Sequence, residues 1–310
     1  MLARVITIAL NTYRESVRAR ILLGLAGVAF AVAFYSLIVG AFTLQEAPRV
    51  VADLGAAASS VFSIAVAILI GATSLHRELE QKTIFPLLAR PIRRTEYLLG
   101  KYFGTMLVIT VFVLAQGGLV LMMGAVLAGG SALKVIGVGL ALAAVLAVAS
   151  WRSTRWRTFG PIPWALAMFA CGFIMSSTAP LERNLILNSS MLCLLEVAII
   201  AALATLFSSF STPFLSSLFT VGALIVGRSA DALARLPKKF FGEFVHDAGA
   251  FLATVVPNLH IYVPERPLLT GEAAGVNTWN YVGMAAVQSV AYSAALLAIA
   301  AFVFKRRDFL

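Results

Sequence analysis

Charge is what this chain of 310 residues is short of: Asp, Glu, Lys and Arg together make up 12% of it, against ~25% in a soluble domain. That excludes an ordinary water-soluble globule. Acid is scarcer than base, 14 residues against 24, leaving a net charge of +10. The basic residues cluster beside apolar runs, the pattern of the positive-inside rule. No Lys/Arg run is interleaved with aromatics in the manner of a nucleic-acid surface, so nucleic acid is not an expected partner. The two cysteines, Cys171 and Cys193, both stand inside apolar runs and read as small buried hydrophobes, which excludes a disulfide framework. The three histidines, His76, His246 and His260, show no paired ligand spacing, so no metal is expected. Gly100-Lys101 lacks the GxxxxGK[ST] frame and is followed by Tyr102, which removes a phosphate-binding loop. There is no GxSxG elbow, HExxH or paired-carboxylate motif either. An enzyme is not expected, and no cofactor is expected on this chain.

What the chain has in abundance is apolar residues, 60% of the total. Several runs reach the ~20 residues that cross ~30 Å of hydrocarbon. Alternating strands are missing, and backbone groups in lipid must bond within their own segment, so the spans are helical. The expected fold is an all-α polytopic membrane protein forming a single transmembrane domain over 1–310. Residues 1–20 are amphipathic, with Arg4, Thr7, Asn11, Arg14 and Arg18 on one side, as in a helix lying in the interface. Spans are expected at 21–42, 54–75, 102–128, 185–207, 214–226 and 281–304, with a short loop over 45–53 and an outer loop over 228–280. The apolar stretches 133–149 and 162–177 flank Trp151-Arg-Ser-Thr-Arg-Trp156-Arg157. We read 133–178 as an extra hairpin, bringing the spans to eight. The rival reading is a partly inserted segment outside the membrane. With the N- and C-termini inside, 16 of the 24 basic residues fall on the inner side.

Polar residues within the spans are few. Glu196, Gln116, Gln288 and Asn188 interrupt apolar runs. Such residues mark functional sites or join helices through hydrogen bonds. The second reading is favoured, and Glu196→Gln is then expected to keep transport largely intact. Gly100 and Gly104 make a GxxxG pattern that reads as ordinary helix packing.

Between the second and third spans lies a charged island, HRELEQKTIFPLLARPIRRTEYLLGKYFG, His76–Gly104. It carries Arg77, Lys82, Arg90, Arg93, Arg94 and Lys101 together with Glu78, Glu80 and Glu96. Pro86 and Pro91 punctuate it, and Thr95 is the expected N-cap of the helix that follows. Topology alone needs only Lys and Arg. The apolar Leu79, Ile84, Phe85, Leu87 and Leu88 add the character of a docking surface for a soluble partner.

The run Glu78-x-x-x-Lys82-Thr-x-x-x-Leu87-Leu-x-Arg90-Pro91-x-Arg93-Arg94-x-Glu96-x-Leu98-Leu-Gly100-Lys101 resembles the cytoplasmic loop of the type-two ATP-binding-cassette (ABC) exporter permeases. The closing Phe304-Lys-Arg-Arg-Asp-Phe309, the turn Leu206–Pro213 and Pro257-Asn258 resemble the same family. The likeness covers 1–128 and 185–310 and is missing from 133–180, an addition to the family's usual six spans. The resemblance implies a permease that pairs with a second permease copy and recruits two ABC ATPase subunits, which hold ATP and Mg. It implies an elbow at the N-terminus and a coupling helix at 76–89 within the loop 76–101. Glu78, Lys82 and Arg90 would be that helix's polar contacts, Phe85 and Leu88 its anchors, with Pro91, Arg93 and Arg94 completing the motif. It also implies an outer gate between Phe214 and Asn258, including Pro257 and Asn258, and a place in a bacterial inner membrane. The alternatives are a non-transporting anchor or scaffold and an ion-coupled secondary transporter.

Overall fold

The computed structural model describes residues 2–43, 46–80, 93–235, 242–244, 246–249, 251, 256–273 and 275–306. Among them there is no strand. The helices are α1 (Leu2–Arg18), α2 (Arg20–Ala41), α3 (Ala47–Glu80), α4 (Arg94–Leu127), α5 (Ala132–Arg152), α6 (Thr154–Phe159) and α7 (Pro161–Met175). They continue with α8 (Pro180–Ser208), α9 (Pro213–Arg228), α10 (Ala230–Ala234), α11 (Arg266–Thr270) and α12 (Thr278–Arg306). Seven of the described helices are long and apolar enough to cross a membrane: α2, α3, α4, α5, α7 with the turn after it, α8 and α12. The chain is therefore an all-α, multi-pass membrane protein. With 16 residues, α9 is ~24 Å long, short of the ~30 Å of hydrocarbon.

Three helices, α3, α4 and α8, pack on one another and form the centre. Val66, Ala67, Ile109, Val113, Val197 and Ile200 are buried where they meet. Around them stand α2 against α3, α12 and α9 against α8, and α7 against α4. The outermost helix is α5, with Leu133, Leu140 and Val145 exposed. Apolar side chains on that outer surface cost nothing in lipid. What holds such helices together is close packing and polar contact rather than water exclusion.

Glycines show where packing is closest. A Cβ on Gly118 would lie 2.6 Å from the backbone of Met168 in α7, and one on Gly172 would lie 2.7 Å from the carbonyl oxygen of Gly118. The GxxxG pattern of α4 serves α1 in the same way. A Cβ on Gly100 would meet Ile8 at 2.6 Å, and one on Gly104 would meet Thr12 at 2.5 Å. The helix α1 therefore lies in a groove on the first turns of α4. Tyr13 is buried in the same junction and stacks on Phe159 of α6, ring centroids 5.9 Å apart. Burial pushes its phenol up to about 12. This stack puts α6, the tip of the α5–α7 hairpin, at the same end of the bundle as α1.

Several boundaries differ from the sequence reading. The loop expected over 45–53 is mostly helix, because α3 starts at Ala47. The charged loop 76–101 has the helix expected at its far end, beginning at Arg94. At its near end α3 runs on to Glu80, and the rest of the expected coupling helix 76–89 lies outside the described residues. The N-cap of α4 is Arg93 rather than Thr95. Its backbone N–H donates to Glu96 Oε2 at 3.4 Å, so the acid three residues on fixes the helix start.

Candidate functional site

The charged island divides into what is described and what is not. Lys82, Phe85, Leu88, Arg90 and Pro91 lie outside the described residues, and Glu78 is described only as backbone in the last turn of α3. Arg94 turns inward: its Nη1 donates to the carbonyl oxygens of Phe304 at 3.3 Å and Lys305 at 3.0 Å. It thereby caps the end of α12, where free carbonyls and the helix dipole favour a cation. Glu96 and Lys101 are not part of a solvated face. They are 3% and 4% exposed and reach α1, through Arg4 to Glu96 at 3.6 Å and through Lys101 to Glu15 at 3.6 Å. The apolar body of α4's first turns can bury both because α1 brings a countercharge for each.

At the other end of the bundle the polar residues collect around a cavity of about 310 Å³. Its walls come from α3 (Asp53, Ala57, Ser60), α8 (Ser189, Cys193, Glu196), the end of α9 (Arg228) and the stretch from Tyr262 to Leu269. At the mouth, Arg266 pairs with Asp53 and, at 3.5 Å, with Glu182. Arg228 grips both carboxylate oxygens of Glu196, Nε to Oε1 at 2.8 Å and Nη2 to Oε2 at 2.9 Å. The same Nη2 donates to Ser60 Oγ at 2.9 Å. A bidentate guanidinium–carboxylate pair is among the stronger contacts a side chain makes. Here it joins α3, α8 and α9. The Glu196 side chain is 1% exposed and that of Arg228 34%, so the arginine is the partner the cavity can reach.

Arg228 was placed in the outer loop by the sequence reading. The signal that could have found it is the length of α9. A helix ~24 Å long ends inside the hydrocarbon, and a cation carried there needs an acid nearby. Glu196, about midway along α8, is that acid.

Pro257 and Asn258 lie beside this pair. The N–H of Leu259 donates to the carbonyl oxygen of Gly227 at 2.9 Å. A Cβ on Gly227 would fall 2.8 Å from the Pro257 oxygen, so only glycine lets the returning chain come so close. Asn258 Nδ2 donates to Asp231 Oδ1 at 2.8 Å, and its Oδ1 accepts the His260 N–H at 3.0 Å. Of the described residues in the expected outer loop, 257–259 pack against the end of α9 and 269–270 against α8. Asn188 Nδ2 helps hold the latter there, donating to the Leu269 carbonyl at 2.7 Å.

The remaining polar residues join helices. Gln116 is fully buried and its Nε2 donates to the Ala29 carbonyl of α2 at 3.1 Å. Gln288 stands half-buried on α12, next to Ser289, whose Oγ donates to the Leu195 carbonyl at 2.7 Å. The structure thus brings Glu196, Pro257 and Asn258 to one place through Gly227 and Arg228, and leaves Gln116 and Gln288 apart from it. Among the described residues no three His, Cys, Asp or Glu side chains group as metal ligands would.

No curated protein matches the chain. The family model described as "ABC-2 family transporter protein" matches residues 6–309. The match runs through 133–180, where the sequence alone showed no likeness, so the hairpin lies inside the matched length. With a bundle of membrane-length helices, a buried polar centre and a family match from end to end, the chain belongs to the ABC-2 family of transporter proteins, as a transport permease.

Proposed function

We propose that this permease is the membrane subunit of an ATP-driven exporter. Two separate ABC ATPase subunits dock on the loop 76–101 and hold the ATP and Mg, and a second permease copy completes the transporter. The termini face the cytoplasm of a bacterial inner membrane. The helix α1 lies in the inner interface as the elbow, and α5 with α7 adds a hairpin to six core spans, one of which is made by the short α9 together with the chain that follows it. The path opens between the inner loop and the cavity above Glu196 and Arg228, with Pro257 and Asn258 at its gate.

One observation carries the reading. Helix α3 runs unbroken from Asp53 at the cavity mouth, past Ser60 under Arg228, to Glu80 at the start of the docking loop. From Ser60 to Glu80 is ~30 Å of rigid helix. A push on the loop therefore moves the contact that joins α3, α8 and α9. ATP shifts the permease only as far as the ATPase prefers one of its two states over the other, and α3 is the part through which that preference is felt.

The test is a pull-down of the detergent-solubilised chain from its host. An ABC ATPase should accompany the wild type and be lost from Phe85→Ala and Glu78→Lys, both still inserted. Recovery of the ATPase with those variants at wild-type stoichiometry would overturn the docking site. Absence of any ATPase from the wild type would favour an anchor.

A further inference from the structure

We propose that the tip of the α5–α7 hairpin is a binding site for anionic phospholipid; the proposal rests on the hairpin crossing the membrane as described above. The tip carries Trp151, Arg152, Arg155, Trp156 and Arg157, and each of them is exposed. No acidic residue stands between Glu96 and Glu182 in the chain. None of the three arginines has an ion-pair partner among the described residues. On the neighbouring helix α1, Glu15 is engaged by Lys101 and Arg14 and Arg18 are exposed, adding charge of the same sign. The patch is therefore basic without internal compensation.

It is also fixed in shape. Gly160 closes the turn after α6, its N–H donating to the Trp156 carbonyl at 2.8 Å. A Cβ there would lie 2.4 Å from that same oxygen. Phe159 stacks on Tyr13, and Trp164 Nε1 donates to the Leu142 carbonyl at 3.1 Å. Arg155, Trp156, Phe159, Ile162 and Pro163 line a cleft of about 440 Å³ between this tip and the start of α7. Arginine at its rim and an apolar floor running toward the hydrocarbon suit a phosphate headgroup followed by an acyl chain. Tryptophans at the same level are the usual residents of that boundary. Basic residues near the membrane surface each strengthen binding to anionic lipid about fivefold, so three acting together give on the order of a hundredfold.

The consequence is regulatory. The tip holds α1 through Tyr13, and α1 holds the start of α4 through Glu96 and Lys101. A lipid seated at the tip braces the helix that leads out of the charged island.

The experiment is native mass spectrometry of the purified chain without any ATPase, titrated with phosphatidylglycerol or with phosphatidylcholine. The wild type should retain phosphatidylglycerol in preference. R152Q/R155Q/R157Q should lose that preference by roughly a hundredfold, while R49Q/K134Q at the other end keeps it. Equal retention of both lipids by the wild type overturns the proposal, as does unchanged preference in the triple variant. An equal loss in R49Q/K134Q also overturns it, reducing the effect to net charge. Cysteine labelling at Ser153 reports separately whether the tip lies on the face assigned to it.

Discussion

Removing either member of the Glu196–Arg228 pair should destabilise the bundle, and the two removals should not cost the same. In Arg228→Gln the carboxylate of Glu196, 1% exposed, is left buried with no cation beside it. Breaking a buried pair in this way costs about 3–5 kcal/mol. In Glu196→Gln the charge left behind is a guanidinium that is 34% exposed, still bonded to Ser60 Oγ and facing the cavity. Its loss is nearer that of charge-assisted hydrogen bonds, about 1.5–3 kcal/mol. Unfolded helices in a micelle also find partners, which pulls both figures toward their lower ends. The double variant E196Q/R228Q restores a neutral, hydrogen-bonding pair and should cost less than the two singles added, by about 2 kcal/mol. Equilibrium unfolding in mixed micelles, followed by tryptophan fluorescence, measures all three. A larger loss for Glu196→Gln than for Arg228→Gln would refute the burial argument. Strict additivity would refute the pairing itself.

Other outcomes follow from the packing. Gly104→Leu drives a side chain into Thr12 and the Ala9 carbonyl; α1 should leave its groove, and protease cleavage near Arg14 should quicken markedly. Gly118→Val meets the backbone of Met168 in α7 and should cost about 1–3 kcal/mol, the usual range for overpacking, read in the same unfolding assay. The Tyr13 hydroxyl is buried without a hydrogen-bond partner among the described residues, so Tyr13→Phe should leave stability unchanged or raise it slightly. With its phenol pushed up to about 12, Tyr13 should remain neutral through pH 10, where a free tyrosine is half ionised, and difference absorbance against Tyr13→Phe detects this. If the Glu196 charge only holds helices together, the ATPase rate of the assembled transporter should survive Glu196→Gln.

Most of the helices were legible because hydrocarbon imposes one rule, about 20 apolar residues per crossing, and seven described helices obey it. The exceptions have physical causes. The first turns of α3 carry Pro48, Arg49 and Asp53 and look like loop, because helix beyond the hydrocarbon needs no apolar residues. Glu96 and Lys101 read only as members of a charged island because their countercharges come from α1, some ninety residues earlier in the chain. Arg228 was missed because local charge says loop, whereas its partner stands 32 positions away on another helix. Glu196, Pro257 and Asn258 were each visible by themselves. Their meeting place was not, since it depends on one short helix ending beside Glu196.

The groove on α4 that receives α1 also sets an order of assembly. The ribosome makes Ile8 and Thr12 long before Gly100 and Gly104 exist. At 5–20 residues per second the amphipathic leader waits on the order of ten seconds for its seat. During that interval the groove does not yet exist. Once α4 enters the bilayer, Glu15 and Arg4 can neutralise Lys101 and Glu96 as they are buried. The countercharges for Lys101 and Glu96 thus come from a helix made earlier, and deleting α1 should impair the insertion of α4 as well as loosen the finished bundle.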